Sequence, residues 1–431
     1  MKSLQDMITS DIIRFFSIVF PRKPLKIAMI SYYYPTSKTK SASGVAIYTY
    51  NISKELAKLG CDVHVFTSSK KESRTSKHKI ENGYLTIHEI SIFSKTEEKD
   101  PVIRTRINYL DFENKIPKEI SKENKKGKFD LVNTNGWLTS GVFTAKQFLD
   151  LKWVHTFHSV EVNRESLMSD EEKKYINLYD WIERTTKHAD HFISVSKALK
   201  EEIIKTYEII PDKISVIPNG INFNIFKPKK NNLRSKYGFN KNQNIIMTVS
   251  RFSKEKGLEV LIKSIPYILD GDKNTAFLLI LPEEETGYKI DTYLELKKRL
   301  NKLINKYKNR IKLIPKAVSQ KNLSEFYNMS DVYVQPSLYE SFGITILEAM
   351  TCGRAIVASN CGGIPEIVFN RYNGLLVRPD EAQELARDIF KILNNPEFKR
   401  KMEKNSIKIA KKYDWKFIGK QTLELYEKII Y

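Results

Sequence analysis

Short apolar runs recur along this chain and alternate with stretches whose apolar positions fall three and four residues apart. Leu25–Ser31 (LKIAMIS) is apolar from Ile27 to Ile30 and reads as a buried strand. After a loop containing glycine, Val45, Tyr48, Ile52, Leu56 and Leu59 repeat at helical spacing, which predicts a helix over Val45–Leu59 stopped by Gly60. Further strands are predicted at Asp62–Thr67, Phe129–Asn133, Trp153–Phe157, His191–Val195 and Ile214–Ile217, with helical stretches between most of them. Such alternation builds a parallel sheet covered by helices on both faces.

The segment Pro218–Asn232 (PNGINFNIFKPKKNN) is rich in Asn, Pro and Lys and reads as a linker. A second series follows it, with strands predicted at Asn244–Ser250, Phe277–Leu281, Ile311–Ile314, Asp331–Gln335, Ala355–Ser359 and Gly374–Val377. The fold class is therefore α/β, with two doubly wound Rossmann-like domains facing each other across a cleft. Ligands in such sheets bind beyond the carboxyl ends of the strands, so the chemistry is expected between the domains.

A length of 431 residues accommodates two ordinary cores, and 41% apolar residues without an 18-residue apolar run argue against a membrane span. The three cysteines, Cys61, Cys352 and Cys361, are odd in number and lack Cys-x-x-Cys spacing, so neither a disulfide framework nor a zinc-cysteine site is indicated and a reducing cytoplasm is expected. The net charge of +21 is spread over both halves of the chain, without a nucleic-acid-binding motif. It fits phosphate-bearing substrates, an anionic membrane surface or a lysine-rich solvated exterior. Before the first strand, Ile12–Phe20 is apolar apart from Arg14 and Ser17 and is followed by Arg22, Lys23 and Lys26. Two readings of this 1–24 extension stand: an amphipathic interfacial helix, or a helix packed on the protein itself.

Candidate chemistry concentrates in SLYESFGITILEAM, Ser337–Met350, where seven residues separate Glu340 from Glu348. On one continuous helix the two carboxylates would be about 12 Å apart, too far to share a small ligand. A loop followed by a helix brings them closer. Gly343 permits the turn, and the free N–H groups of a helix starting at Ile344 would receive an anion. A sugar joined to a phosphate suits this layout, since carboxylates accept hydrogen bonds from hydroxyls; a solvated acidic helix start is the bland alternative. In VSRFSKEKGLEVLI, Val249–Ile262, Arg251 and Lys256 lie between a strand and a helix opened by Gly257. Two such cations can stabilise charge gathering on a departing diphosphate, though surface charge alone would also place them there.

These segments, with CGGIPEIV and NGLLVRP further on, resemble the retaining nucleotide-sugar glycosyltransferases of family 4, which have the GT-B fold. The resemblance runs from about Leu25 to the end of the chain. It implies an acceptor-side domain over 25–218, a nucleotide-sugar domain over 219–413 and a helix over 414–431 crossing back to the first domain. It assigns Glu340 to the transferred sugar, Glu348 to the nucleotide ribose, and Arg251 and Lys256 to the leaving diphosphate. Phe342, Gly343, Ile344 and Thr345 would line the donor at the helix start, and Gly44 would face the donor phosphate from the first domain. His158, at the end of a predicted strand, would contact the donor sugar near the reacting carbon, while His155, three residues earlier, would fall on the other face of the strand. Glu366 would support the Gly362-Gly363 loop. Several positions depart from the family pattern: Ser43 replaces the first of two glycines, Ser159 follows His158, Asn222 stands for an aspartate, and Pro282–Glu285 replace a Gly-x-Gly turn. The last departure leaves the nucleotide base open.

The expected activity is transfer of a sugar from a nucleoside-diphosphate sugar to a hydroxyl of a glycan or lipid-linked acceptor, with retention of configuration. Front-face chemistry of the family kind requires no protein base, and no cofactor or metal is expected, because side chains supply the positive charge. A nucleotide-sugar epimerase on the same fold and a non-catalytic nucleotide-sugar-binding subunit are the alternatives. Nucleic acid is not an expected partner. Deleting Met1–Phe20 separates the two readings of the extension. Under the interfacial reading the truncated protein floats less with anionic vesicles while donor hydrolysis persists; equal flotation with a lower melting temperature establishes packing on the protein.

Overall fold

The computed structural model describes residues 23–35, 43–92, 101–136, 140–168, 173–174, 176–282 and 290–431. Met1–Arg22, and with them the apolar run of the extension, lie outside the described residues, as do Glu283–Glu285.

The first domain is built on an eight-stranded sheet of order β3-β4-β2-β1-β5-β6-β7-β8. Its strands are β1 (Lys26–Ile30), β2 (Asp62–Ser69), β3 (Arg74–Ile80), β4 (Gly83–Ser91), β5 (Leu131–Asn135), β6 (Lys152–Phe157), β7 (His191–Ser194) and β8 (Ile214–Val216). All neighbours are parallel except β3, which pairs antiparallel with β4. The β3–β4 hairpin has no counterpart among the strands predicted above. β3 reads RTSKHKI and is largely exposed, so it carries no apolar run.

The second domain holds a six-stranded, wholly parallel sheet of order β11-β10-β9-β12-β13-β14. Its strands are β9 (Asn244–Val249), β10 (Thr275–Ile280), β11 (Ile311–Ile314), β12 (Val332–Gln335), β13 (Ala355–Ser359) and β14 (Gly374–Val377). The strand order reverses between β9 and β12. A crevice opens at such a point beyond the carboxyl ends, and Arg251 and Gln335 sit there in sequence. β10 is buried along its whole length, as a central strand with both faces covered must be.

The helix Gly44–Lys58 buries Tyr48, Ile52 and Leu56, and Ser43 caps it by accepting from the Ala46 N–H at 3.3 Å. The helix Trp415–Ile430 follows the second domain in sequence and packs against Gly44–Lys58 of the first, with Trp415, Ile418 and Tyr426 in one core with Tyr48, Ile52 and Leu56. Gly419 permits this approach, since a Cβ there would lie 2.7 Å from that of Glu55. The chain thus crosses between domains twice, and the crossings touch. Ile221 N–H donates to the Tyr413 carbonyl at 2.7 Å, and Gly220 lies flat on the Trp415 ring.

Glu366 adds a second tie, different from the loop support expected of it. Its carboxylate crosses to the first domain and accepts from the backbone N–H groups of Lys197 and Ala198, at 2.9 and 2.8 Å, which open the helix Lys197–Tyr207. Together with Ser196, which takes the Leu199 N–H, it satisfies three donors of that helix start. Replacing Glu366 with Ala should cost about 0.5–2 kcal/mol, as loss of a helix cap does. Thermal unfolding measures this; an unchanged melting temperature would show that water replaces the cap without loss.

Candidate active site

Three glycines let backbone approach backbone around Glu340. Gly257 has φ of 63°, and a Cβ there would fall 1.7 Å from the Pro336 carbonyl oxygen. From the other side, Cβ atoms on Gly362 and Gly363 would lie 2.0 Å from the Glu340 oxygen and 2.3 Å from the Ser341 oxygen. No side chain fits in those gaps. The loop Pro336–Phe342 is thereby clamped between two turns. The Glu255 carbonyl accepts from Leu338 N–H at 2.7 Å, and Glu340 O accepts from Gly363 N–H at 2.9 Å.

This clamp brings Lys256 onto Glu340, with Nζ donating to Oε2 at 3.0 Å. Gln335, the last residue of β12, donates from Nε2 to the same Oε2 at 3.2 Å, and its Oε1 accepts from Thr345 Oγ1 at 3.0 Å and Tyr333 OH at 2.6 Å. Glu340 is thus oriented by two donors. Gly343, with φ of 102°, caps the helix Ile344–Thr351 without a side-chain bond, so the first N–H groups of that helix carry no side-chain cap. Across the cleft, a Cβ on Gly44 would touch Ile344 Cδ1 at 3.4 Å, so the starts of two helices from two domains face each other. Phe342 turns inward against Tyr413, leaving its backbone rather than its ring toward the cleft.

Arg251 is exposed and donates to Glu255 Oε1 at 2.9 Å. Glu255 also binds Arg164 of the first domain and lies 3.7 Å from Lys256. Burial pushes the Glu255 carboxyl up, but Lys256, Arg164 and Arg251 outweigh it and hold the group at about 2. Arg164 is further bound by Glu161 at 2.8 Å, and Tyr339 OH reaches Glu202 at 3.0 Å. Arg164, Glu255, Gln335 and Tyr339 were absent from the sequence reading. Gln335 carried a positional signal, as the final residue of a predicted strand; Arg164 lies in a polar stretch with no pattern to single it out.

His158 follows β6, with its ring edge-on to Tyr48 at 4.8 Å and Nε2 3.5 Å from Asn135 Oδ1. Burial pushes it down to about 3, so the ring is neutral at physiological pH. His155 is buried and shares a hydrogen bond with Thr134 Oγ1 at 2.8 Å. Glu348 does not share the setting of Glu340. It lies on the inner side of its helix, 3% exposed, and accepts from Tyr327 OH at 3.0 Å. Burial, only partly offset by that bond, pushes its carboxyl up to about 8. The chain also contains one Asp-x-Asp triplet of the kind that binds metals elsewhere, Asp270-Gly271-Asp272. It precedes β10, at the end of the sheet away from the cleft, and its carboxylates are taken by Tyr307, Lys306 and Thr275.

Comparison with known proteins agrees with this architecture. The sequence model for Glycosyltransferase Family 4 matches residues 42–224, and that for Glycosyl transferases group 1 matches residues 229–409. An uncharacterized glycosyltransferase of Methanocaldococcus jannaschii is 28% identical over 94% of this chain and 98% of its own. Among solved structures, sucrose-phosphate synthase from Thermosynechococcus elongatus superposes with a TM-score of 0.78 at 24% identity, covering 94% of this chain and 99% of that one. HepE from Anabaena, in complex with UDP-glucose, gives 0.70 at 20% identity over 94% and 100%.

The Glu348 environment makes a pH prediction. Between about 4.5 and 8 the folded carboxyl keeps a proton that the unfolded chain has lost, so its contribution to stability falls as pH rises through that window. Glu348→Gln should flatten the decline. Melting temperatures of both proteins at a series of pH values test this, and parallel curves would mean that Glu348 is ionised in the native protein.

Proposed function

From the premise that the chain belongs to glycosyltransferase family 4 and has the GT-B fold, we propose that it is a retaining hexosyltransferase using a nucleoside-diphosphate sugar. The observation that carries this reading is the Lys256–Glu340 pair, 3.0 Å apart beside the start of the Ile344–Thr351 helix and within reach of the opposite domain. A cation, an oriented carboxylate and free backbone N–H groups side by side suit a ligand that is a sugar at one end and a diphosphate at the other.

In this reading Glu340 accepts hydrogen bonds from sugar hydroxyls, and neutral His158 faces the sugar from the first domain. Lys256, Arg251 and the N–H groups after Gly343 take the negative charge that develops on the diphosphate as the bond from the anomeric carbon to its oxygen breaks. The acceptor hydroxyl enters on the same face of the sugar. Its oxygen bonds the anomeric carbon, and its proton passes to the departing phosphate oxygen, so configuration is retained without a protein base. Glu348 belongs to the ribose end, where a protonated carboxyl can donate as well as accept. The charges are supplied by side chains, so no metal is required.

The donor complex of the Anabaena neighbour supports a nucleotide sugar as the ligand class. The acceptor is a hydroxyl of a glycan or lipid-linked acceptor, and the reaction belongs to cell-envelope glycan assembly in the cytoplasm. Among the described residues no helix is long and apolar enough to cross a membrane. In this reading a lipid-linked acceptor is met peripherally, at the inner face of the membrane.

Screening nucleotide sugars for thermal stabilisation identifies the donor, since a ligand that binds only the native state raises the melting temperature. With that donor and an acceptor, nuclear magnetic resonance of the product reads the anomeric configuration, and inversion would overturn the mechanism. Arg251→Ala and Lys256→Ala should each lower turnover by roughly two to three orders of magnitude. Wild-type turnover should persist in EDTA. Near-normal rates in both variants, or a loss in EDTA restored by manganese, would remove the side-chain account of leaving-group stabilisation.

A further inference from the structure

A second group of chemically capable side chains lies in the first domain, on the face of the sheet covered by the helix Pro101–Lys126. His64 is the third residue of β2 and His88 lies in the middle of β4, and both point to the face carrying Phe66 and Thr86. Glu123 descends onto them from the last turn of the helix. The three are 6%, 4% and 7% exposed, and one ligand-capable atom from each lies within 4.8 Å of the others.

The outward nitrogens bear on how the inward ones are used. His64 Nε2 stands 3.5 Å from Asp62 Oδ2, and His88 Nδ1 is 3.2 Å from Thr75 Oγ1. An ionised carboxylate only accepts, so a His64 proton on Nε2, toward Asp62, would leave Nδ1 a bare lone pair. That lone pair faces His88 Nε2 at 2.9 Å, with the two rings within 16° of coplanar. If Thr75 accepts from His88 Nδ1, two lone pairs meet head-on with a carboxylate beside them. Such an arrangement requires a cation between them.

We propose that His64 Nδ1, His88 Nε2 and the Glu123 carboxylate form a site for a divalent transition metal of the zinc class. Two imidazoles and one carboxylate are a donor set that zinc accepts, at metal–ligand distances of about 2.0–2.2 Å. Tetrahedral geometry needs the facing nitrogens about 3.3 Å apart, a small widening of the present 2.9 Å. Asp62 and Thr75 are then the outer partners that fix ring orientation in metal-binding histidines. A proton shared between the rings, with Glu123 as its counter-charge, is the competing arrangement, and zinc titration separates the two. Lys126, which pairs with Glu123 at 2.8 Å, has a side chain 62% exposed and can turn into water when a metal takes the carboxylate. The metal would join the helix Pro101–Lys126 to β2 and β4 and would act on stability rather than on transfer.

The test uses the full chain, stripped with EDTA and desalted, then titrated with zinc by calorimetry and with cobalt by visible absorption. One equivalent should bind, zinc should raise the melting temperature, and cobalt should give a tetrahedral spectrum. Glu123→Gln, which keeps size and shape, should weaken zinc binding by roughly tenfold or more; His88→Ala should abolish it. Circular dichroism confirms that each variant is folded, and the glutamine variant decides the matter if the alanine variant is not. Failure of the wild type to take stoichiometric zinc at tens of micromolar overturns the site. So does equal affinity in wild type and Glu123→Gln, or a His88 Nε2 proton that nitrogen-15 resonance shows unmoved by zinc.

Discussion

A backbone oxygen, that of Pro336, fills the space where residue 257 would carry a side chain, and the geometry around Glu340 depends on that contact. Because residue 257 is Gly, the Lys254–Lys256 turn lies directly under the loop after β12. The Glu255 carbonyl can then take the Leu338 N–H, and Lys256 can reach Glu340. Gly362 and Gly363 apply the same constraint from the opposite side. The site is fixed by main chain against main chain, so a Cβ introduced at any of these three positions could not be relieved by a change of rotamer.

The domains are coupled at both ends of the cleft by different means. At the hinge the two crossings share backbone hydrogen bonds and the Trp415 ring packs on Gly220. Near the candidate site the ties are polar: Arg164 to Glu255, Tyr339 to Glu202, and Glu366 to the start of the Lys197–Tyr207 helix. Apolar packing at the hinge is close-packed and tolerates little sliding, whereas hydrogen-bonded contacts at the mouth can exchange partners with water or ligand. The division suits a molecule whose cleft opens about one edge.

The sequence was most legible where burial imposes a period. The interior strands β1, β9, β10 and β13 are apolar runs because both sheet faces are covered, and their positions follow from that alone. β3 could not be read in the same way. An exposed edge strand has no hydrophobic requirement, and its Arg, Thr, Ser and Lys residues resemble a loop. At the candidate site, Glu340, Lys256 and Gly343 were visible as residue types at meaningful spacing. The burial of Glu348 was not, because it is set by Tyr327, which reaches it from another helix. Arg164 and the crossing of Glu366 are likewise products of how two domains meet, which no local pattern encodes. Asp270-Gly271-Asp272 shows the converse: a metal-like triplet that closes the helix Leu258–Gly271 at the end of the sheet away from the cleft.

The charge pattern at the cleft follows from the cost of leaving the largely buried Lys256 and Arg164 unpaired, with exposed Arg251 joining the same carboxylate. Lys256 is matched by Glu340 and Glu255, Arg164 by Glu161 and Glu255, and Arg251 by Glu255. One buried carboxylate therefore serves three cations, which is why its charge persists despite burial. In the reading proposed above, an arriving diphosphate does not fall into a field of free positive charge. It exchanges with carboxylates for Arg251 and Lys256, so part of the attraction is offset by the pairs it breaks. The uncapped N–H groups after Gly343 belong to no such pair, so their pull on a phosphate is not reduced by an exchange.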